Sequence, residues 1–162
     1  MREEQIALGI ALRNLETFSI GSFSDRLLVQ KKIYLAQSLG VDLGYRYNWY
    51  LKGPYSPELT TEAYQVIPFG EDKFEGYDFD EDINDIINQV NELSNHPNKE
   101  RAHLNEADWY ELLASVHYLT TNRQYGEKDK VRKKLIEEKP KYSKEQFDLS
   151  WEVLEEVFHI EG

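Results

Sequence analysis

The chain has 162 residues and a formal net charge of −11, from 19 basic and 30 acidic side chains. About 40% of the residues are hydrophobic and 13% are aromatic, a composition that excludes an intrinsically disordered chain. There is no cysteine, which excludes disulfides, zinc–thiolate sites and a cysteine nucleophile. The length predicts one domain over residues 1–162.

The sequence gives no sign of a membrane or secretory protein. No apolar run approaches the ~20 residues that cross a bilayer, so no membrane partner is expected. Arg2, Glu3 and Glu4 open the chain without the basic-then-apolar order of a signal peptide. We therefore expect a cytoplasmic protein, whose negative charge disfavours nonspecific contact with nucleic acid.

The first forty residues predict two helices. The first covers residues 3–17, where Gly9 weakens it by roughly 1 kcal/mol relative to alanine. The second begins after Ser22 or Ser24, both good N-caps, and runs to Leu39. Its apolar side chains cover more than half of the circumference, which predicts a central helix packed on several sides.

The densest group of special residues follows a short aromatic run. Tyr47 to Leu51 favours a β-strand, half of a small hairpin, which Gly53 and Pro54 then interrupt. Ser56 is a natural N-cap, and Pro57 fits the first position of the third helix. Special residues therefore cluster in a turn, and none of them carries catalytic chemistry.

An acidic stretch at residues 71–82 contains interleaved aromatic side chains. We expect these aromatics to pin it as an ordered loop, with Phe74 to Phe79 supplying a second short strand. Asp78, Asp80 and Asp82 alternate as in a calcium loop, but the central glycine and the terminal glutamate of an EF-hand are missing. Calcium binding is therefore not predicted.

The second half of the chain predicts four more helices around a polar loop. We expect the fold class to be mainly α, a single helical domain of about seven helices with a small β-hairpin or short strand pair. The expected segments are a helix at 81–94, a polar loop at 95–100, and helices at 105–122, at 128–138 and after the capping box that Ser143 begins.

No catalytic, cofactor or metal site is predicted. The four histidines lack the spacing of a helical metal site, and the phosphate-binding loops and the hydrolase elbow are absent from the sequence. The protein is therefore expected to be non-enzymatic. An enzyme stays the least favoured alternative, which would require a buried pocket where two perturbed carboxylates converge. The histidines are His96, His103, His117 and His159.

The aromatic turn is the predicted surface for a protein partner. Tyrosine and tryptophan anchor many interfaces, although some of these rings must belong to the core. The predicted partner-binding residues are Tyr47, Trp49, Tyr50, Lys52, Tyr55 and Glu58.

Basic side chains support an alternative, a winged-helix-like regulator that binds nucleic acid. A helix followed by a hairpin is compatible with that layout, and phosphate contacts would make binding steeply salt-dependent. A solvated helix face that balances the acidic residues is the simpler interpretation. The residues predicted for nucleic-acid contact are Lys31, Lys32, Arg132, Lys133 and Lys134.

The segment from residue 20 to residue 68 resembles a known family. It is similar to the Panacea-domain proteins, which include the SocA-like antitoxins, and to the related YwgA-like prokaryotic proteins. Lys32 stands where that family usually has leucine. The matching positions are Gln30, Lys31, Tyr34, Trp49, Gly53, Pro54, Ser56, Pro57, Glu58 and Leu59.

The resemblance implies a mostly α-helical domain that binds proteins. Many Panacea-domain members neutralise a cognate toxin by direct binding, and one branch delivers its toxin to a protease. YwgA-like members have no established activity, and the resemblance supplies no catalytic residues. We therefore expect a non-enzymatic protein-binding module, antitoxin-like or defence-associated, with a protein partner such as a toxin.

Overall fold

The computed structural model describes residues 1–122 and 125–160, and these are mainly α-helical. Seven helices have ten or more residues, α5 is a single short turn, and one two-stranded sheet is present in the described residues. The elements are α1 (Glu3–Asn14), α2 (Phe23–Ser38), β1 (Asn48–Tyr50), β2 (Gly53–Tyr55), α3 (Pro57–Val66), α4 (Glu81–Glu92), α5 (Pro97–Arg101), α6 (Glu106–Thr121), α7 (Lys128–Glu138) and α8 (Lys144–Phe158).

Helix α6 forms the centre of the fold. Every residue from Trp109 to Leu119 is buried, and α2, α7, α8 and the hairpin all pack against this helix. Its start is set by Asn105, whose side chain accepts a hydrogen bond from the backbone N–H of Asp108 at 2.8 Å. Since eleven successive residues cover every side of a helix, α6 is enclosed by its neighbours.

The acidic stretch is ordered by one buried ring, as expected. Phe74 is fully buried against Gly9 of α1, where an added Cβ would overlap the ring. Arg13 donates hydrogen bonds to the carbonyl oxygens of Phe74 and Tyr77. The aromatic ring of Phe74 therefore holds this segment in place, and Gly9 in α1 makes room for that ring.

The predicted strand and hairpin are confirmed, but the predicted second strand is wrong. Phe74 ends a 3₁₀-helix that begins at Glu71, and no residue from 74 to 79 pairs in a sheet. The partner strand is Gly53–Tyr55, with Asn48 opposite Tyr55 and Tyr50 opposite Gly53. A two-residue turn brings this nearer strand back against the aromatic run.

Local capping chemistry places most helix ends where the sequence predicts them. The caps at Ser56, Asn105 and Ser143 are all confirmed. The polar loop at residues 95–100 is a wrong prediction, because Pro97 opens the short helix α5 and the His96 side chain caps it. No helix in the described ranges is long and apolar enough to cross a bilayer.

Candidate functional site

Gln30 on α2 holds the segment that joins the hairpin to α3. Its side-chain nitrogen donates to the carbonyl oxygen of Ser56, and its side-chain oxygen accepts from the N–H of Ser56, both at 2.9 Å. The same nitrogen donates to Thr60 Oγ1 at 2.8 Å. Ser56 Oγ accepts from the N–H of Leu59 at 3.3 Å. One buried glutamine thereby fixes the backbone at the start of α3.

Lys31, the next residue on α2, makes a second contact with the hairpin. Its side chain is 1% exposed, and Nζ donates to the carbonyl oxygen of Pro54 at 2.7 Å. Burial lowers the pKa of this ammonium group to about 7; Glu111 opposes the shift, whereas Lys139 and Lys52 reinforce it. Lys31 forms no ion pair with a carboxylate in the described part of the chain.

Gly53 lets the hairpin lie directly on α6. Its φ is +93°, in the region that favours glycine, and an added Cβ would overlap Ser115 Oγ of α6. The glycine of the family-like turn is therefore explained by backbone geometry and by a close approach between two elements.

Lys139 holds the tip of the hairpin from the other side. Its Nζ donates to the carbonyl oxygen of Leu51 at 2.6 Å and lies 3.9 Å from Glu111 Oε2. Burial would raise the pKa of Glu111, but hydrogen bonds from Lys141 and Tyr142, with the charge of Lys139, hold it below its ordinary value. This network was not predicted from the sequence, although a glutamate inside the apolar run of α6 is the signal that could have revealed it.

Gln30, Lys31 and Lys139 together form what we term the hairpin clamp. Each of the three is buried and donates a side-chain hydrogen bond to a backbone carbonyl oxygen between Leu51 and Ser56. Because buried carbonyl groups must be paired, these contacts specify one backbone path for the turn. The clamp thus makes the hairpin a fixed part of the helical domain.

The residues predicted to bind a partner divide into an outer and an inner group. Tyr50 is 45% exposed, and Lys52 and Glu58 are exposed. Tyr55 is half-buried, with its hydroxyl 2.7 Å from Thr60 Oγ1. The outer group is accessible to another molecule.

Tyr47 and Trp49 form the inner group, which attaches the hairpin to the helices. The Tyr47 hydroxyl donates to the carbonyl oxygen of Gln30 at 3.1 Å. The Trp49 ring lies 5.9 Å from the ring of Tyr118, and the Lys139 ammonium group lies 5.5 Å from its centre. Contact of these two residues with a partner stays a prediction.

Two exposed apolar residues near the turn were missed by the sequence analysis. Leu51 occupies the turn and is 94% exposed, and Phe23 at the start of α2 is 57% exposed. The Lys52 ammonium group lies 5.8 Å from the centre of the Phe23 ring, which links the two elements. An apolar residue at a two-residue hairpin turn was the available signal. Phe23, Tyr50 and Leu51 are termed the hairpin patch below.

The basic residues do not form the surface that nucleic-acid binding was expected to use. Lys31 and Lys32 are buried, and Lys32 Nζ donates to the carbonyl oxygen of Leu15 at 2.9 Å. Both side chains therefore lie inside the fold, with their long apolar stems in the core, and their contact with nucleic acid stays a prediction. The outcome for the other predicted residues is mixed: Lys133 is exposed, Arg132 pairs with Asp129, and Lys134 pairs with Glu138.

In the described part of the chain the carboxylates of Asp108 and Glu111 converge, but both are paired with Lys141 Nζ, at 3.1 Å and 2.9 Å. No group of three or more potential ligands is suitable for a metal ion within the described residues. His117 is buried, its Nδ1 lies 2.8 Å from the Tyr34 hydroxyl, and burial lowers its pKa to about 4. The two carboxyls with depressed pKa values, Asp78 and Glu111, belong to different parts of the fold.

Comparisons of this chain with protein-family models, curated proteins and solved structures gave no match.

Proposed function

We propose that this chain is a non-enzymatic protein-binding module that recognises a partner protein through the hairpin patch. The observation that carries the proposal is Leu51, 94% exposed at the tip of a hairpin whose backbone is held by buried side chains. An apolar residue in that position costs solubility and adds nothing to the core of the isolated chain.

The clamp makes the hairpin patch suitable for binding. A loop that is fixed before binding loses little conformational freedom when a partner docks, so more of the contact energy appears as affinity. Tyr50 supplies a ring next to Leu51 in the chain, and Phe23 supplies a second exposed ring beside Lys52. Aromatic anchors contribute most at the centre of interfaces. The patch therefore combines a fixed backbone with exposed apolar groups.

The family resemblance defines the kind of partner that we propose. Residues 20–68 resemble the Panacea-domain and YwgA-like proteins, and the clamp residues Gln30 and Lys31 belong to the resembling positions. An antitoxin-like or defence-associated role follows, with a toxin as the partner. The proposed setting is the cytoplasm, in keeping with the absence of cysteine.

The test captures proteins from the native host with the tagged full-length chain. Leu51→Glu places a charge on the patch, and Phe69→Glu places the same charge on another apolar residue, which is 46% exposed. We expect one stoichiometric protein with the wild type and with Phe69→Glu, and at least a tenfold loss with Leu51→Glu. That protein should be toxic alone and harmless when co-expressed with this chain.

Three results would count against parts of this proposal. Equal recovery with a well-folded Leu51→Glu variant would remove the hairpin patch as the binding surface. A stoichiometric partner that is harmless when expressed alone would support the protein-binding function but contradict the antitoxin role. Sequencing of the same eluates could show enriched DNA without a stoichiometric protein. That result would contradict the proposal and favour a regulator that binds nucleic acid.

A further inference from the structure

A small cleft lies beside the hairpin patch, between α2, the hairpin and the start of α3. Its volume is about 220 Å³, and three cationic residues with no carboxylate line it. The cleft shares Phe23 with the hairpin patch, and Lys52, which also lines it, follows Leu51 in the chain. Its lining residues are Phe23, Arg26, Leu27, Gln30, Lys31, Lys52, Tyr55 and Thr60.

Lys31 is the most deeply buried residue of this lining. Among the described residues no carboxylate lies within ion-pair distance of its Nζ, and the charge of Glu111 acts on it only from farther away. An ammonium group has three N–H donors, and the neutral carbonyl of Pro54 accepts one of them. The other two deeply buried lysines each have a carboxylate nearby, since Lys32 lies 3.7 Å from Glu106 and Lys139 lies 3.9 Å from Glu111. A buried cation is costly when no anion compensates it.

Arg26 and Lys52 add positive charge at the same cleft. Arg26 donates to the carbonyl oxygen of Ile20 at 3.1 Å, and Lys52 lies over the ring of Phe23. Neither forms an ion pair within the described residues. In a chain with net charge −11, a cleft that is lined by three cations and by no carboxylate requires an explanation.

We propose that this cleft receives a carboxylate of the protein partner, an Asp or Glu side chain that follows or precedes an apolar residue. The carboxylate forms the close ion pair that Lys31 lacks and contacts Arg26 and Lys52, while the apolar neighbour rests on Phe23, which the cleft shares with the hairpin patch. This inference rests on the proposed function, because it specifies the chemistry of the partner at the same surface.

The dimensions of the cleft favour a side chain over a complete metabolite. Pockets for drug-sized ligands enclose about 300–1,000 Å³, more than this cleft provides. The net negative charge of the chain does not prevent the approach of an acidic side chain. Exposed charges farther away than ~8 Å are largely screened at physiological salt, so the three cations dominate at contact distance.

Binding of the carboxylate is coupled to protonation of Lys31. The charged groups around Lys31 are Glu111 from α6, Lys139 after α7, Lys52 from the hairpin and Arg26 from its own helix. With a pKa of about 7, most Lys31 side chains are charged at pH 6 and few are charged at pH 8. Affinity for a carboxylate should therefore fall by about tenfold between these two pH values.

The experiment follows lysine side-chain NMR signals of the full-length protein as short peptides are added. The probe is acetyl-Leu-Glu-Leu-amide, and the matched control is acetyl-Leu-Gln-Leu-amide. We expect the Glu peptide to shift the Lys31 and Lys52 signals saturably and to raise the pKa of Lys31. The Gln peptide should bind at least tenfold more weakly.

Lys31 itself is not substituted in this test, because its hydrogen bond to Pro54 also supports the hairpin. The variants change Arg26 and Lys52 at the cleft instead. Lys52→Gln and Arg26→Gln should each weaken the Glu peptide several-fold. Lys73→Gln, at an exposed lysine in the acidic stretch, should leave its affinity unchanged. Equal binding of the Glu and Gln peptides, or no shift of Lys31 at 10 mM Glu peptide, would overturn the inference.

Two further outcomes separate this inference from the proposed function. A host partner could be lost with Leu51→Glu but retained with both Lys52→Gln and Arg26→Gln. That result would support the protein-binding function and would overturn the inference that a partner carboxylate occupies the cleft. Sodium glutarate binding as tightly as the Glu peptide would also overturn the inference, because the occupant would then be a small dicarboxylate.

Discussion

Lys31 shows how one residue serves both the fold and the candidate site. Its ammonium group donates a hydrogen bond to the carbonyl oxygen of Pro54, and its side chain lines the cleft beside the hairpin patch. Because the cost of burying its charge outweighs the attraction of Glu111, its protonation opposes folding. The pH dependence of stability therefore reports on this residue.

We predict that stability rises with pH above 7 because of Lys31. The pKa is about 7 in the folded protein and 10.5 as the ordinary value, so the unfolded chain binds more protons between these limits. The unfolding free energy should rise in that window by up to ~1.4 kcal/mol per pH unit. Below pH 7 both states carry the proton and the penalty is fully present.

Urea unfolding at pH 7, 8 and 9 measures this rise. Lys31→Met should reduce the slope, and Lys52→Gln should largely retain it. Burial lowers the pKa of Lys32 and of Lys139 as well, so the informative quantity is the difference between wild type and variant. Identical slopes in wild type and Lys31→Met would contradict the account.

The positions of Lys31 and Lys32 could not be predicted from the helical pattern. Both interrupt the apolar face of α2, and a lysine there is compatible with an exposed head or a buried one. What decides between them is a backbone carbonyl from another element, Pro54 for Lys31 and Leu15 for Lys32. That contact depends on tertiary packing, which residue periodicity does not contain.

Gly9 shows the corresponding effect at the scale of elements. Helix propensity alone makes this glycine a defect in α1. In the structure it is the site where the ring of Phe74 meets the helix, and a Cβ would overlap that ring. Packing between two elements therefore outweighs the local preference of one of them.

We predict that Gly9→Ala destabilises the protein by at least about 1 kcal/mol, although propensity alone would stabilise it by a similar amount. The physical reason is the overlap between the new methyl group and the Phe74 ring. Urea unfolding of Gly9→Ala measures the sign. In the Phe74→Leu background the cost should shrink, because the smaller side chain leaves room. A more stable Gly9→Ala protein would refute this role of the glycine.

Helix starts were predictable because their determinants are local. Ser56, Asn105 and Ser143 cap helices through side chains that reach backbone groups only three residues away. The partner of the first strand was not predictable in the same way. Pro54 lies opposite Trp49 in the sheet, a position that proline tolerates because each strand has an unpaired edge.

At the scale of the whole molecule, the distribution of charge matters more than its sum. The basic run on α7 is partly neutralised by ion pairs within that helix. The cleft beside the hairpin keeps three cations without an acid, despite the excess of acidic residues in the chain. Composition disfavoured nucleic acid as a partner but gave no information about this local arrangement.

The mainly helical fold was predictable from the sequence, and the candidate site was predictable in part. The aromatic turn was predicted as the surface for a partner, and Tyr50, Lys52 and Glu58 are exposed there, whereas binding itself stays a prediction. Leu51 and Phe23 were missed because their exposure depends on how the clamp orients the hairpin against α6. The same packing turned Tyr47 and Trp49 towards the helices.

The most direct test of the account is hydrogen–deuterium exchange of the full-length chain with and without its purified partner. We predict slower exchange on binding at the hairpin tip, from Tyr50 to Gly53, and in the first turn of α2 around Phe23. Exchange of α4, which packs against α1 and α2, should be unchanged by the partner. Protection confined to α7, with no change at the hairpin, would contradict the claim that the clamped hairpin is the binding surface.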